Sequence, residues 1–136
     1  KLLTLKDGTN VDLRYAETVI QNLKSSVIQN RRRFENISTS KLRNLLEPLN
    51  VLFTQVHHDS SATLSDKTIE ELEYMKVKFS YESGREKSVK TFIDKSYLNK
   101  MLDKVIENGD KQSFIQFCRY FEALVAYAKY HGMGDR

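Results

Sequence analysis

Ser113-Phe-Ile-Gln-Phe-Cys-Arg-Tyr-Phe-Glu-Ala-Leu-Val-Ala-Tyr-Ala-Lys-Tyr130 decides the fold. Phe114, Phe117, Cys118, Phe121, Leu124, Val125 and Ala128 recur at helical spacing and share one stripe. Tyr120, Ala123 and Tyr127 form a second strip beside it. A helix apolar over more than half its circumference must be wrapped by others. This segment is therefore read as the central post of a helical domain. Asp110 is its N-cap, and Gly132 and Gly134 stop it.

Working outward, the 136 residues suffice for one domain with a real core. Five glycines and one proline are few for a β-sandwich. The single cysteine, Cys118, cannot form an internal disulfide and lies on the apolar stripe, which points to a structural thiol in a reducing compartment, the cytoplasm. No apolar run approaches the roughly 20 residues needed to cross a bilayer, and no signal peptide is visible. The chain begins at Lys1 without methionine, so a truncated N-terminus is expected. Net charge is +4 and the pI about 9.1, which permits a nucleic-acid partner without requiring one.

The remaining elements also read as helices. Residues 1–10 form a flexible lead-in, after which Asn10 or Asp12 caps a helix over Asp12–Phe34 with Leu13, Ala16, Val19, Ile20, Leu23, Val27 and Ile28 inside. Arg31-Arg32-Arg33 closes it, either as helix-end charge or as a phosphate contact. Ser38-Thr39-Ser40 caps a helix to about His57, in which Pro48 should introduce a kink or a split. Its first turn holds Lys41 and Arg43, either solvated or beside free amides as a phosphate site. Ser65 caps the next helix, which Gly84 ends. Ser96 caps a later one, stopped by Asn108-Gly109. The expectation is an all-α bundle of five or six helices around the C-terminal one, in a single domain over 1–136.

The third helix carries Tyr74, Lys78, Tyr81 and Arg85 at steps of four, three and four. Such an aromatic–basic ladder can stack on bases while its cations meet phosphates. Its bland reading is half-buried tyrosines with lysine stems packed beside them, and a helix end at Gly84 would take Arg85 off the ladder. From Lys76 to Lys90, Lys76, Lys78, Arg85, Lys87 and Lys90 outnumber Glu82 and Glu86, a local balance of plus three.

Catalytic motifs are absent: no Gly-rich phosphate loop, no Cys-x-x-Cys, no His-Glu-x-x-His, no Gly-x-Ser-x-Gly. His57-His58-Asp59 invites a metal reading, but adjacent side chains diverge and zinc wants three or four convergent ligands. These residues read as loop, with no cofactor, metal or catalytic residue expected.

Three segments then occur in order: Thr39-Ser-Lys-Leu-Arg43, Phe79-Ser-Tyr-Glu-Ser-Gly-Arg85-Glu86, and Phe114-x-x-Phe117-x-x-Tyr120-Phe-Glu-Ala-Leu-Val-Ala-Tyr127-x-Lys129-Tyr-x-Gly132. Together they resemble the small subunit of type III-A CRISPR effector (Csm) complexes, over about Ile37–Gly132. The resemblance implies a non-catalytic helical bundle serving antiviral defence. Copies would stack along a ribonucleoprotein filament, touching guide RNA and target RNA, the backbone-forming subunit and the large polymerase-like subunit. It places the RNA-facing surface at Lys41, Arg43, Lys78, Tyr81 and Arg85, with Lys129 in addition. A sequence-blind filament subunit needs phosphate contacts rather than base readers. The rivals are a protein-binding helical adaptor, a DNA-binding helix-turn-helix regulator, and an enzyme with a site assembled from distant residues.

Overall fold

The computed structural model describes residues 3–5, 8, 10–30 and 37–132, with backbone only for residue 3 and residues 25–30. Six helices follow a small hairpin: α1 Leu13–Asn30, α2 Thr39–His58, α3 Asp66–Arg85, α4 Lys87–Ser96, α5 Leu98–Asn108 and α6 Lys111–Tyr130. The all-α expectation holds. Within the expected lead-in, however, Leu3–Thr4 (β1) pairs antiparallel with Asn10–Val11 (β2). The pairing is anchored because Val11 is fully buried, while Leu13, expected inside, is half exposed. Asp12, not Asn10, opens α1: its carboxylate accepts N–H groups of Arg14 and Tyr15. Arg31–Arg33 lies outside the described residues.

Helix α6 is the post. It packs on α1, α2 and α5. Phe114, Phe117, Tyr120, Phe121, Leu124 and Ala128 lose all contact with solvent, and Cys118 nearly all. Val125, Ala123 and Tyr127 are only half-buried against this core. Helices α3 and α4 reach α6 through rings: Phe121 lies 6.1 Å from Phe79, 6.5 Å from Phe92 and 6.4 Å from Phe117. These edge-on and tilted pairs suit the ring quadrupoles. The Tyr120 hydroxyl, buried with its ring, donates to the Ser96 carbonyl at 2.9 Å. Burial raises the Tyr120 phenol above its ordinary pKa, and raises the Cys118 thiol likewise.

Caps follow the sequence with three exceptions. Ser38, Ser65 and Asp110 each accept an N–H of their helix's first turn. Gly109 ends α5 in the left-handed region at φ 67°. The first exception is Ser96. It caps nothing, being fully buried with its hydroxyl donating to Ile93 O, and Tyr97 makes the α4–α5 junction at φ 61°. The second is Pro48: of the kink or split expected there, the split does not occur, and α2 runs unbroken through it. Pro48 is exposed, and so is Asn44, whose carbonyl loses its donor, so water can take that place. The third is Gly84, which lies inside α3 rather than ending it.

Two ties fix the loops. The Leu64 N–H donates to Gly109 O, and the Lys111 N–H to Ala62 O, both at 2.9 Å. Lys111 Nζ also donates to His57 O at 3.4 Å. Helix α6 thus starts at the end of α2 and runs back along it.

Replacing Phe121 by Ala should cost about 3–5 kcal/mol in denaturant titrations, and Tyr120→Phe about 1–3 kcal/mol, because Ser96 O is left buried and unpaired. Hydrogen bonds from the Ser113 hydroxyl and N–H hold the Asp110 carboxyl below its ordinary pKa. A lowered folded value means its stabilisation is present above the unfolded pKa and is lost as pH falls through the folded one. Melting temperature should therefore fall less steeply between about pH 6 and 3 in Asp110→Asn than in the parent chain.

Candidate nucleic-acid interface

Helices α2 and α3 run antiparallel but touch only sparingly. Their ends are tied by charge. Lys41 Nζ, in the first turn of α2, lies 2.8 Å from Glu86 Oε2 and 3.8 Å from Glu82 Oε1 at the end of α3. Arg85 Nη1 lies 3.6 Å from the same Glu82 oxygen. The basic residue that opposes the α2 dipole is thus offset by two carboxylates from the next helix. The α2 amide of Lys41 itself is taken by the Ser38 hydroxyl.

Between the helices lies a groove of about 320 Å³. Leu45, Pro48, Leu52, Met75 and Phe79 make its apolar side. Lys41, Asn44, Glu71, Tyr74, Lys78 and Glu82 supply the polar lining. Acids and bases alternate there, so the groove is not itself a cation trap.

The outer face of α3 differs. Because Gly84 stays helical, Tyr74, Lys78, Tyr81 and Arg85 keep one face, within roughly 60° of arc at 100° per residue. Tyr74 and Tyr81 are 61% and 63% exposed, so the half-buried reading of these tyrosines fails. The Arg85 guanidinium sits 5.7 Å from the Tyr81 ring centroid, a cation–π contact.

Pairing ranks the basic residues in a way the sequence could not. Lys76 is bonded to Asp103 across to α5. Lys90 bonds Asp94 at 3.1 Å. Lys41 and Arg85 share Glu82. Lys78 has no ion pair among the described residues, which makes it the least compensated cation of the ridge. Arg43 is exposed and likewise unpaired among them, but two residues from Lys41 it points about 160° away around α2 and does not line the groove. Lys129 is exposed in the last turn of α6. Since α6 runs antiparallel to α2, it lies toward the same end of the bundle as Lys41 and Arg43. There Lys24 Nζ donates to His131 O at 2.7 Å, and His131 Nε2 meets Glu17 Oε2 at 3.0 Å. The ridge therefore brings together Lys78, Tyr81 and Arg85, with Lys41 lining the adjoining groove; Arg43 and Lys129 stand apart from it. The partners missed in the sequence are Glu82 and Glu86, whose pairing with Lys41 crosses helices and leaves no trace in local spacing.

Among the described residues no group of three or more His, Cys, Asp and Glu side chains is placed to hold a metal ion. His57 instead stacks on Phe53 at 5.7 Å. No described helix is long and apolar enough to cross a membrane.

The family model described as Csm2 Type III-A matches residues 16–133. The chain belongs to this family. A protein of Enterococcus italicus described as CRISPR system Cms protein Csm2 is 48% identical over 140 residues, spanning 99% of each chain. Proteins with the same description from Mycobacterium tuberculosis (strain H37Rv) and Streptococcus thermophilus are 38% and 36% identical, over 74% and 73% of this chain and 79% and 76% of theirs. The match takes in all of α2 to α6, and so both the groove and the ridge. The chain is thus a Csm2 small subunit of a CRISPR Csm complex.

The Lys41–Glu86 pair is partly exposed, so a double-mutant cycle with Ala at each position should give a coupling of only about 0.2–1 kcal/mol that fades as salt is added.

Proposed function

We propose that this chain is a non-catalytic RNA-binding subunit of a cytoplasmic Csm ribonucleoprotein. It holds target RNA and its guide duplex by backbone contacts, alongside copies of itself, the backbone-forming subunit and the large polymerase-like subunit. The observation that carries the reading is the α3 ridge: two exposed tyrosines interleaved with Lys78 and Arg85 on one face. Cations at this spacing meet phosphates, and the tyrosine faces stack on any base, so binding is sequence-tolerant. Few contacts per copy suffice when many copies line one strand, because linked weak sites add in avidity. Arg43 and Lys129 would act as separate, secondary contacts.

One observation favours a second reading, a helical adaptor for protein: the ridge also bears Val77, and the adjoining groove has an apolar side.

The experiment is single-stranded RNA binding across a salt series. Affinity should fall with salt, and Lys78→Glu should weaken it several-fold and flatten the salt slope by about 0.7 per lost phosphate contact, with circular dichroism unchanged. Lys41→Glu should act less on RNA, since Lys41 already has carboxylate partners. Binding that ignores both salt and Lys78→Glu would contradict the RNA reading and favour the adaptor.

A further inference from the structure

The outer face of α3 has a second property. Glu70, Tyr74, Val77, Tyr81 and Arg85 fall within roughly 80° of arc. Tyr74, Val77 and Tyr81 recur every three to four residues, the spacing of a helix seam that meets another helix. All three are more than 60% exposed. The seam stands as a ridge between two depressions, the α2–α3 groove and a shallower one of about 370 Å³ toward α5 at Val77, Ser80 and Ile106.

Charge along the seam runs from negative to positive. Glu70 lies near its start and Arg85 at its end, about 22 Å away at 1.5 Å per residue. A two-fold axis passing between Val77 and Lys78 sets Glu70 opposite Arg85 and Tyr74 opposite Tyr81. Val77 is then set opposite Lys78, whose aliphatic stem can cover it. Lys67 falls beyond the last opposed pair. The face is therefore complementary to an inverted copy of itself, as a closed isologous interface demands. A partner of uniform charge would match only half of it.

We infer that α3 pairs antiparallel with α3 of a second copy, burying Tyr74, Val77 and Tyr81, and that this pairing and RNA binding exclude one another. Lys78, Tyr81 and Arg85 cannot face a second copy and a phosphate backbone at once. The exclusion, though not the pairing, rests on the RNA reading above. In the free subunit the ridge is covered by its mate; an RNA strand uncovers it. The local Arg85–Glu82 pair does not hold Arg85 tightly: it is 3.6 Å long, the Arg85 side chain is 56% exposed, and Glu82 is shared with Lys41, so Glu70 of the second copy can compete for the guanidinium.

Sedimentation velocity of the full chain over a concentration series tests the pairing. Glu70→Arg and Arg85→Glu should each weaken self-association about tenfold by setting like charges opposite, and the combined Glu70→Arg/Arg85→Glu chain should regain it. Val77→Lys, which sets a lysine opposite Lys78 of the mate, should leave a folded monomer. A parent chain that stays monomeric throughout, or a double variant as monomeric as either single one, overturns the pairing. Added single-stranded RNA should then turn the dimer into a monomer–RNA complex. RNA bound to an intact dimer overturns the exclusion alone. RNA that does not bind at all overturns the RNA reading and with it the exclusion, while the charge reversals still decide the pairing.

Discussion

Everything in this fold depends on removing the rings of α6 from water. Phe114, Phe117, Tyr120 and Phe121 sit on one helix with no exposure left to any of them. At about 25 cal/mol per Å² of apolar surface, they dominate the hydrophobic gain. One helix cannot hide such a surface, so α1, α2 and α5 wrap it, and Phe79 and Phe92 bring α3 and α4 onto Phe121. The Tyr120 hydroxyl, carried into this core with its ring, finds the Ser96 carbonyl. That bond holds the α4–α5 junction to the post and explains why Ser96 is buried instead of capping α5.

The placement of the ridge follows from the same constraint. Met75 and Phe79 turn the inner face of α3 toward the core, which leaves Tyr74, Lys78, Tyr81 and Arg85 no direction but outward. The ridge is thus the face of α3 that the core does not need. The sparing contact between α2 and α3 opens the groove, and Lys41 holds its rim by meeting Glu82 and Glu86.

Much of this was legible in the residues. Aromatic periodicity identified α6, serine and aspartate oxygens marked three N-caps, and the seven-residue spacing of Tyr74 and Tyr81 placed both on one face. What was not legible depended on tertiary context. Pro48 does not divide α2 because it falls on the solvent side, where the cost of a missing donor is small. Gly84 does not end α3, since glycine lowers helix propensity without forbidding the conformation. The pairing of Lys41 with carboxylates 41 and 45 residues away could not be read from local charge. The two-residue ladder at Leu3–Thr4 was hidden for a related reason: it is held by burial of Val11, not by strand propensity.

The central claim is that the chain meets RNA through the exposed face of α3. Photocrosslinking to single-stranded RNA, read by peptide mass spectrometry, tests it most directly, because exposed tyrosines on and off that face serve as internal controls. Tyr130, at 79% exposure, is more accessible than either Tyr74 or Tyr81 yet lies off the ridge. Adducts concentrated on Tyr74 and Tyr81, lost when salt is raised, are the predicted result. Adducts on Tyr130 with none on α3 would contradict the account.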